Sequence, residues 1–309
     1  MKTAIVALGG NAFSRKGKIS IRQEFRFAEK ALESLAHLLG EGYSIAITHG
    51  NGPQVGDILV RSEAAKKRVY EIPLHAAVAQ SQGELGFVIV RALQNILHRH
   101  RIKRHVAALL SHVLVDGNDK AFLQPSKPIG PFYSKARAVE LKKKGIKTVF
   151  EIGRGYRVVV PSPVPKQILE AETIKQLLEK RVIVVCCGGG GIPLIKNKTS
   201  LSGVDAVIDK DFASALLGKT VKAELLAILT ATDFVYLNFG QKNQGPIKKM
   251  SIGEAKLLLK QNQFEEGSMK PKIEAAINFL KSGGKKVIIT SPQKLRSALL
   301  GNSGTIIKK

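Results

Sequence analysis

The sequence predicts an α/β protein with a mainly parallel central sheet. Two observations carry this prediction: apolar segments of strand length alternate with amphipathic segments of helical length, and three of the predicted strands end in clustered glycines. Strands that alternate with helices give a parallel sheet that is covered on both faces. The chain has 309 residues and is 44% hydrophobic, which is enough for a sizeable core.

The first elements follow in order from Thr3–Leu8, an apolar run that reads as a buried strand and ends at Gly9. Residues 23–39 form an amphipathic helix, because their apolar side chains recur near helical spacing, and Gly40 ends it. Residues 43–48 are the next strand, and a glycine turn follows them. The remaining elements of the first half are a helix at residues 77–97 and an apolar strand at residues 106–115.

Residues 116–165, which we call the flap, interrupt this alternation. They are rich in proline, glycine and lysine and show little continuous periodicity, so we expect an inserted subdomain with short hairpins. Regular alternation then resumes. The later predicted helices are residues 173–180, a helix that starts within 211–217, and residues 252–260 and 272–281; the later strands are residues 182–187, 225–230 and 286–290.

The charge balance is strongly basic, with 49 Lys and Arg against 24 Asp and Glu and a formal net charge of +25. Such a field attracts anions, among them phosphorylated metabolites and nucleic acids, although basic side chains also simply keep a protein solvated. Two adjacent cysteines, Cys186 and Cys187, are too few and too close for a disulfide framework. The chain starts with no apolar stretch of signal-peptide length and has no run of the ~20 apolar residues that span a membrane. We therefore expect a cytoplasmic protein.

Three glycine-rich turns directly follow predicted strands: Gly9-Gly10-Asn11, Gly50-Asn51-Gly52 and the run Gly188-Gly189-Gly190-Gly191. In a parallel sheet such turns meet along one edge, where ligands bind. Exposed backbone amides and helix dipoles at that edge attract phosphate oxygens. Each turn alone would read as a tight turn, but three on one edge favour an anion cradle. Neither the P-loop pattern nor the dinucleotide-binding glycine pattern is present.

Three lysines stand where they could serve a phosphoryl group. Lys210 lies between Asp209 and Asp211 at the start of a predicted helix. Lys272 lies near the start of another, where a cation opposes the helix dipole. Lys127 lies in the flap, within a proline-rich segment that would hold its backbone stiffly. Lysine can neutralise charge on a transferring phosphoryl group and a carboxylate can hold it in place. Taken alone, Lys210 could be an exposed lysine beside an aspartate that caps the helix, and Lys272 could simply face water.

Together these segments resemble a carbamate kinase of the amino acid kinase family, and the resemblance spans nearly the whole chain in order. The segments that carry it are residues 7–12, 49–56, 81–83, 127–132, 160–163, 186–193, 206–211 and 267–272. The turn His-Gly-Asn-Gly-Pro-Gln at residues 49–54 and the flap segment Lys-Pro-Ile-Gly-Pro-Phe at residues 127–132 distinguish this branch from its sibling kinases.

The resemblance implies a three-layer αβα sandwich with a small protruding subdomain, within one domain over residues 1–309. It implies a carbamate-side lobe at residues 1–180, a nucleotide-side lobe at 181–309, and a homodimer. It also implies reversible phosphoryl transfer between ATP and carbamate, giving ADP and carbamoyl phosphate, with Mg²⁺ held mainly by nucleotide phosphates rather than by protein ligands.

The resemblance also implies roles for individual residues. Lys127, Lys210 and Lys272 would stabilise the transferring phosphoryl group, and Asp211 would orient the lysines. The remaining implied groups are substrate-binding Gly9, Gly10, Asn11, Gly50, Asn51 and Gly52; nucleotide-binding Gly267, Ser268 and Met269 with Lys210, Asp211 and Lys272; and the phosphate loop Gly188, Gly189, Gly190 and Gly191. The chain departs from the family pattern at His75, Lys120 and Val158.

Two alternatives stay open. A sibling kinase of the same family could use another carboxylate or phosphate acceptor. A basic nucleic-acid-binding protein could use the same scaffold, because a fold does not fix a function; the cluster at residues 98–105 lacks the interleaved aromatic residues typical of such surfaces. We expect ATP or ADP and carbamate or carbamoyl phosphate as partners, and neither a membrane nor nucleic acid.

Overall fold

The computed structural model describes residues 2–9, 20–151 and 153–309. Its strands are β1 Thr3–Leu8, β2 Ser44–His49, β3 Val106–Ala108, β4 His112–Val115, β5 Lys127–Tyr133, β6 Thr148–Glu151, β7 Gly155–Val160, β8 Pro165–Ile168, β9 Ile183–Val185, β10 Ile192–Lys196, β11 Leu201–Gly203, β12 Leu225–Leu229, β13 Val235–Leu237, β14 Gly245–Ile247, β15 Lys249–Ser251, β16 Lys286–Thr290 and β17 Thr305–Lys308.

The helices are α1 Ile21–Leu32, α2 Leu35–Gly40, α3 Gly52–Ala65, α4 Leu74–Arg99, α5 Lys135–Lys143, α6 Ala171–Glu179, α7 Lys210–Thr220, α8 Ile252–Lys260, α9 Met269–Lys281 and α10 Leu295–Leu299. Short 3₁₀ turns cover Lys120–Phe122, Gly188–Gly190 and Pro292–Lys294. Among the described residues, none of the helices is both long and apolar enough to cross a bilayer.

The centre of the molecule is an eight-stranded sheet with the order β15-β17-β16-β12-β1-β2-β9-β3. Strands β16, β12, β1, β2, β9 and β3 are mutually parallel, and β17 runs antiparallel to β16. Every residue of β1, β2 and β12 is buried. Continuous apolar strands of this kind are expected where helices cover both faces of a parallel sheet.

Alternate side chains of β1 enter two separate cores. Ile5 and Ala7 belong to the core that α7 and α9 cover, whereas Ala4, Val6 and Leu8 belong to the core that α1 and α4 cover. Because side chains of a strand point alternately to its two faces, the sheet forms the middle of three layers. The predicted α/β class with a mainly parallel sheet is confirmed.

Two predicted elements are divided in the structure. The helix predicted at residues 23–39 breaks at Glu33 and Ser34, where the Ser34 hydroxyl donates to the carbonyl of Pro292 at 2.9 Å. The strand predicted at residues 106–115 becomes β3 and β4, which belong to different sheets. The amide of Ser111, between them, donates to the Gln82 side chain instead of a sheet partner.

The flap contains a separate three-stranded antiparallel sheet with the order β5-β7-β6. Helix α5 accompanies this sheet, so the segment holds a helix as well as the expected hairpins. The chain enters the flap from β4 and leaves it into β8, and these two strands pair antiparallel with Leu114 opposite Gln167. The division into lobes at residue 180 stays a prediction.

Candidate active site

The three glycine turns lie at one edge of the central sheet. Strands β1, β2 and β9 are adjacent and parallel, so Gly9, Gly50 and Gly188 follow their carboxyl ends side by side. We call this the glycine edge. Gly10 and Asn11, which the resemblance assigns to substrate binding, lie outside the described residues.

In two of these turns, the backbone amide of the first glycine donates a hydrogen bond to the neighbouring strand. The amide of Gly9 donates to the carbonyl of Leu229 at 2.9 Å, and the amide of Gly50 donates to the carbonyl of Leu8 at 3.0 Å. The turn after β2 opens α3, with Asn51 as its N-cap and Gly52 as its first residue. The first amides of a helix have no intrahelical acceptor, so the turn still offers donors at Gly52 and Gln54.

The glycines at 188–191 allow a close approach by neighbouring polar side chains. A Cβ on Gly188 would lie 2.4 Å from the His49 ring, and one on Gly189 would lie 2.0 Å from the amide nitrogen of Asn51. Gly189 also has a φ of +64°, which disfavours any side chain. This turn therefore packs directly on the turn that follows β2.

Buried polar side chains fix these two turns. The side-chain amide of Asn51 donates to the Ser81 hydroxyl at 2.8 Å. The Gln82 amide donates to the carbonyls of Gly188 at 3.0 Å and Ser111 at 3.2 Å. Since α4 carries both Ser81 and Gln82, one helix sets the position of two turns of the glycine edge.

Asp209 connects the flap to the start of α7. It is the N-cap of that helix, and its Oδ1 accepts from the amide of Asp211 at 2.8 Å. Its Oδ2 accepts from the Nζ of Lys127 at 2.5 Å. The predicted flap lysine therefore reaches the same helix terminus as Lys210, a contact between residues 82 positions apart.

Asp211 holds the other two predicted lysines. Its Oδ1 pairs with Lys210, and its Oδ2 lies 3.0 Å from the Nζ of Lys272, which comes from α9. Asp211 and Lys210 retain only 2% and 8% of their accessible surface, so this cluster is nearly closed to water. Three lysines and two aspartates leave a formal excess of one positive charge at the site.

Burial and charge shift the pKa values of this group in different directions. Burial by itself would raise the pKa of Asp211, but the charges of Lys210 and Lys272 outweigh it and hold that pKa well below its ordinary value. Burial lowers the pKa of Lys210, although Asp211 opposes the shift. For Lys272 burial acts in the same sense, but the attraction of Asp211 prevails and its pKa is raised.

The predicted nucleotide residues lie around the start of α9. Ser268 is the N-cap, Met269 begins the helix and packs partly on the core, and Gly267 adopts a φ of +72° before it. Gly267 and Ser268 are exposed, whereas Lys272, one turn further on, points into the buried cluster. This stretch therefore joins an exposed surface to the lysine–aspartate cluster.

His49 at the end of β2 is a buried neutral imidazole. Burial lowers its pKa to about 4, and the nearby charge of Lys210 acts in the same direction. Its Nδ1 lies 3.3 Å from the carbonyl oxygen of Gly50. A histidine in this state adds no positive charge to the site near neutral pH.

Some polar groups at the site hold others in place in ways that the sequence does not indicate. The sequence marks Asp209 as a possible helix cap beside Lys210, and the structure shows that cap, but local pattern gives no sign of its pairing with Lys127. Thr48 and Ser214 share a hydrogen bond of 2.6 Å that links β2 to α7. Their residue types and spacing give no such signal, because the contact spans 166 positions.

The departures from the family pattern lie outside the lysine–aspartate cluster. Val158 packs on a small core formed with Val55 and Ile129, and His75 lies 3.3 Å from Asp205. Lys120 begins a 3₁₀ turn that Asp119 caps.

The sheet is mainly parallel, is covered by helices on both faces, and carries glycine turns and aspartate-paired lysines at one edge. These features are typical of the class of small-molecule phosphotransferases. The chain belongs to the amino acid kinase family, whose model matches residues 2–291. It is 43% identical to the carbamate kinase of Thermoplasma acidophilum over 308 residues, covering 99% of each chain. It is 41% identical to the carbamate kinase of Thermococcus kodakarensis, covering 99% of this chain and 98% of that one.

Solved structures agree with these relatives. A carbamate kinase from Giardia lamblia bound to AMP-PNP superposes with a TM-score of 0.91 at 39% identity, covering 100% of this chain and 98% of that one. The resemblance to carbamate kinases that the sequence predicted is thereby confirmed.

Proposed function

We propose that the protein is a carbamate kinase that transfers a phosphoryl group reversibly between ATP and carbamate, giving ADP and carbamoyl phosphate. The observation that carries the proposal is the convergence of Lys127, Lys210 and Lys272 on two aspartates beside the glycine edge. The relatives that share about 40% of their residues over the whole chain carry this same name.

The chemistry that such a site supports is charge stabilisation. Phosphoryl transfer requires positioning and neutralisation of the negative charge on the transferring group, and little covalent chemistry from the protein. Carbamate is already an anionic nucleophile, so no side chain has to remove a proton from it. A site of lysines with a neutral His49 suits that reaction.

We propose that the three lysines reach the transferring phosphoryl group from different elements of the fold. Lys210 and Lys272 come from the helices of the predicted nucleotide side, and Lys127 comes from the flap. In the described site each ammonium group is paired with an aspartate. Incoming phosphate oxygens would share these lysines, and Asp211 would keep Lys210 and Lys272 oriented while they do so.

The anion cradle is proposed on the amides that the sheet leaves available. Because Gly50 donates within the sheet, we place carbamate on the following part of its turn, at Asn51 and Gly52. Gly10 and Asn11, for which the resemblance implies the same role, lie outside the described residues. Gly9 and Gly50 then contribute by their lack of side chains.

The nucleotide is proposed on the other side of the lysines. Gly267, Ser268 and Met269 would contact it before Lys272, and the buried turn at 188–191 would border its terminal phosphate. The carbamate-side lobe at residues 1–180 and the nucleotide-side lobe at 181–309 follow from this arrangement as proposals.

The side chains at the site also indicate how Mg²⁺ would be held. Among the residues that the structure describes there is no group of three or more carboxylate, imidazole or thiol side chains that could hold a metal ion. Both aspartates of the site are engaged by lysines. These residues would suit a Mg²⁺ ion that enters with the nucleotide and takes its ligands from phosphates and water; it would neutralise part of the phosphate charge.

Two further proposals rest on the resemblance alone: the protein forms a homodimer and works in the cytoplasm. Analytical ultracentrifugation checks the first, since a monomer at micromolar concentration contradicts it.

The decisive experiment is ATP formation from ADP, Mg²⁺ and carbamoyl phosphate. ATP has to be read, because carbamoyl phosphate decomposes unaided and phosphate release is uninformative. The control is Lys210→Ala. ATP that depends on Lys210 supports the proposal. No ATP from a folded, nucleotide-binding protein contradicts it, and a panel of other carboxylate and phosphate acceptors then tests for a sibling kinase.

A further inference from the structure

We propose that Gly56 is a positioning residue, whose missing side chain seats the flap on α3 and thereby holds Lys127 at the site. The inference rests on the proposed function, because that function makes Lys127 part of the catalytic set. Gly56 itself touches no reacting group and acts only through the position of Lys127.

The contact is between two backbones. A Cβ on Gly56 would lie 1.9 Å from the Cα of Gly130 and 2.5 Å from its amide nitrogen. Gly56 lies in α3 and Gly130 lies in β5 of the flap. Since the obstructing atoms are backbone, no side-chain rotation can relieve this overlap, and any side chain at position 56 must move one element away from the other.

The strand that would move is the one that carries Lys127. Ile129, next to Gly130, is buried in a core with Val55 and Val207. Gly130 itself has a φ of +72° and accepts a hydrogen bond from the Nε of Arg157 at 3.1 Å. Lys127 is three residues from Gly130 on this strand, so a shift of the strand at Gly130 is transmitted to it.

A second contact fixes the flap to the same helix. Arg137 on α5 donates to the Oε1 of Glu63 on α3 at 2.8 Å, two helical turns beyond Gly56. Lys144 lies 3.5 Å from the same carboxylate oxygen. Helix α3 therefore contacts the flap at two points. A side chain at position 56 would push β5 away at the first point while the Glu63 contact holds the flap at the second.

The size of the shift is enough to matter for phosphoryl transfer. An ordinary carbon contact begins near 3.4 Å, so the overlap at 1.9 Å requires a displacement of about 1.5 Å. A misplacement of about 1 Å costs roughly 100-fold in rate for groups that act by position.

The test compares Gly56→Ala with Gly83→Ala. Gly83 is also a helical glycine, but it is exposed and a Cβ there meets nothing within 4 Å. For Gly56→Ala we expect kcat to fall about 100-fold. The KM for ADP should stay within about twofold, because the proposed nucleotide residues lie at the starts of α7 and α9 and not on the flap. Gly83→Ala should match the unsubstituted protein in both constants.

A second readout does not depend on activity. Acylation of lysines by an amine-reactive ester, followed by peptide mass spectrometry, reports how accessible Lys127 is. Its side chain is 27% exposed and paired with Asp209, so displacement should raise its labelling severalfold relative to exposed Lys256. If Gly56→Ala does not fold, Glu63→Gln replaces it, because release of the second contact should also raise Lys127 labelling.

The outcomes separate the two proposals. A lower kcat together with stronger Lys127 labelling supports the role of Gly56. Unchanged labelling in Gly56→Ala, or in Glu63→Gln where that variant is used, overturns it, whatever happens to the rate. Absence of ATP formation by the unsubstituted protein contradicts the proposed function alone, and Lys127 labelling then still decides whether Gly56 seats the flap.

Discussion

The carboxylate of Asp209 holds Lys127 of the flap at 2.5 Å while it caps α7 through its other oxygen. Its side chain is only 10% exposed. One residue therefore fixes both the start of the helix that carries Lys210 and the position of a lysine that comes from the flap. Because the two carboxylate oxygens serve different partners, a substitution can remove the contact with Lys127 and keep the helix cap.

Asp209→Asn should keep the cap and lose the charge that holds Lys127. An amide oxygen can still accept from the Asp211 amide, so the free energy of unfolding should fall by less than about 1 kcal/mol. ATP formation should fall at least tenfold, because Lys127 loses its partner. Asp209→Ala removes the cap as well and should cost about 1 kcal/mol more. Urea unfolding and kcat measure the two effects, and an Asp209→Asn variant with full kcat would sink this assignment.

Lys210→Met should abolish most turnover without unfolding the protein. Removal of one charge-stabilising group costs about 10²–10³-fold in kcat. Asp211 keeps Lys272 at 3.0 Å, so it is not left unpaired in the single variant. Circular dichroism and kcat are the measurements, and a rate within threefold of the unsubstituted protein is incompatible with the proposed role.

The double variant Lys210→Met with Lys272→Met should be far less stable than the sum of the single variants. With both lysines gone, Asp211 would be a buried carboxylate without a counter-charge, and such a group costs about 3–5 kcal/mol. A double-mutant cycle by urea unfolding measures the coupling. Additive effects would mean that Asp211 finds other partners or takes up a proton at little cost.

Stability should decline between pH 6.5 and pH 4 because of His49. The unfolded chain takes up a proton near the ordinary histidine pKa of 6.5, whereas burial lowers the pKa in the folded protein to about 4. Stability is therefore complete above pH 6.5 and is lost as pH falls toward 4, by about 3 kcal/mol in total. The free energy of unfolding should depend less on pH across this range in His49→Gln than in the unsubstituted protein. The exposed His98→Gln serves as the control, and an equal slope in both variants contradicts the assignment.

Gly218→Ala should loosen the contact between α7 and α9. A Cβ on Gly218 would lie 2.6 Å from the Phe279 ring, which is fully buried. Overpacking of this kind typically costs about 1–3 kcal/mol. Gly253→Ala is the matched control, since its Cβ meets only the Ser251 hydroxyl at 3.7 Å. Thermal unfolding that is the same in both variants would show that Phe279 moves without cost.

The sequence predicted those features that local pattern controls. Buried strands such as Thr3–Leu8, the turns that end them, and the lysines at the starts of α7 and α9 were all found, because hydrophobic period, glycine and capping chemistry are local signals. It missed α3, whose glycine- and proline-containing start reads as a turn. It also missed β17, which is separated from its antiparallel partner β16 by α10 and therefore gives no hairpin signal.

What it could not supply were contacts made by chain folding. The Gln82 side chain bonds to Gly188, and Gly56 meets Gly130, through approaches between elements far apart in the sequence. The same holds for Asp209, whose partner Lys127 is fixed by the path of the flap. Residue type marks these positions as polar or small, but only tertiary packing decides what they touch.

The pairing of β4 with β8 has a consequence for the construction of the flap. Its two ends, Val115 and Pro165, are opposite each other in adjacent strands. The whole segment therefore closes on itself like one long surface loop, and the entropy of such closure grows only with the logarithm of loop length. Closing the flap therefore costs almost the same conformational entropy whether the chain between β4 and β8 is long or short, so residues can be added to or removed from its outer hairpins while these two strands stay paired.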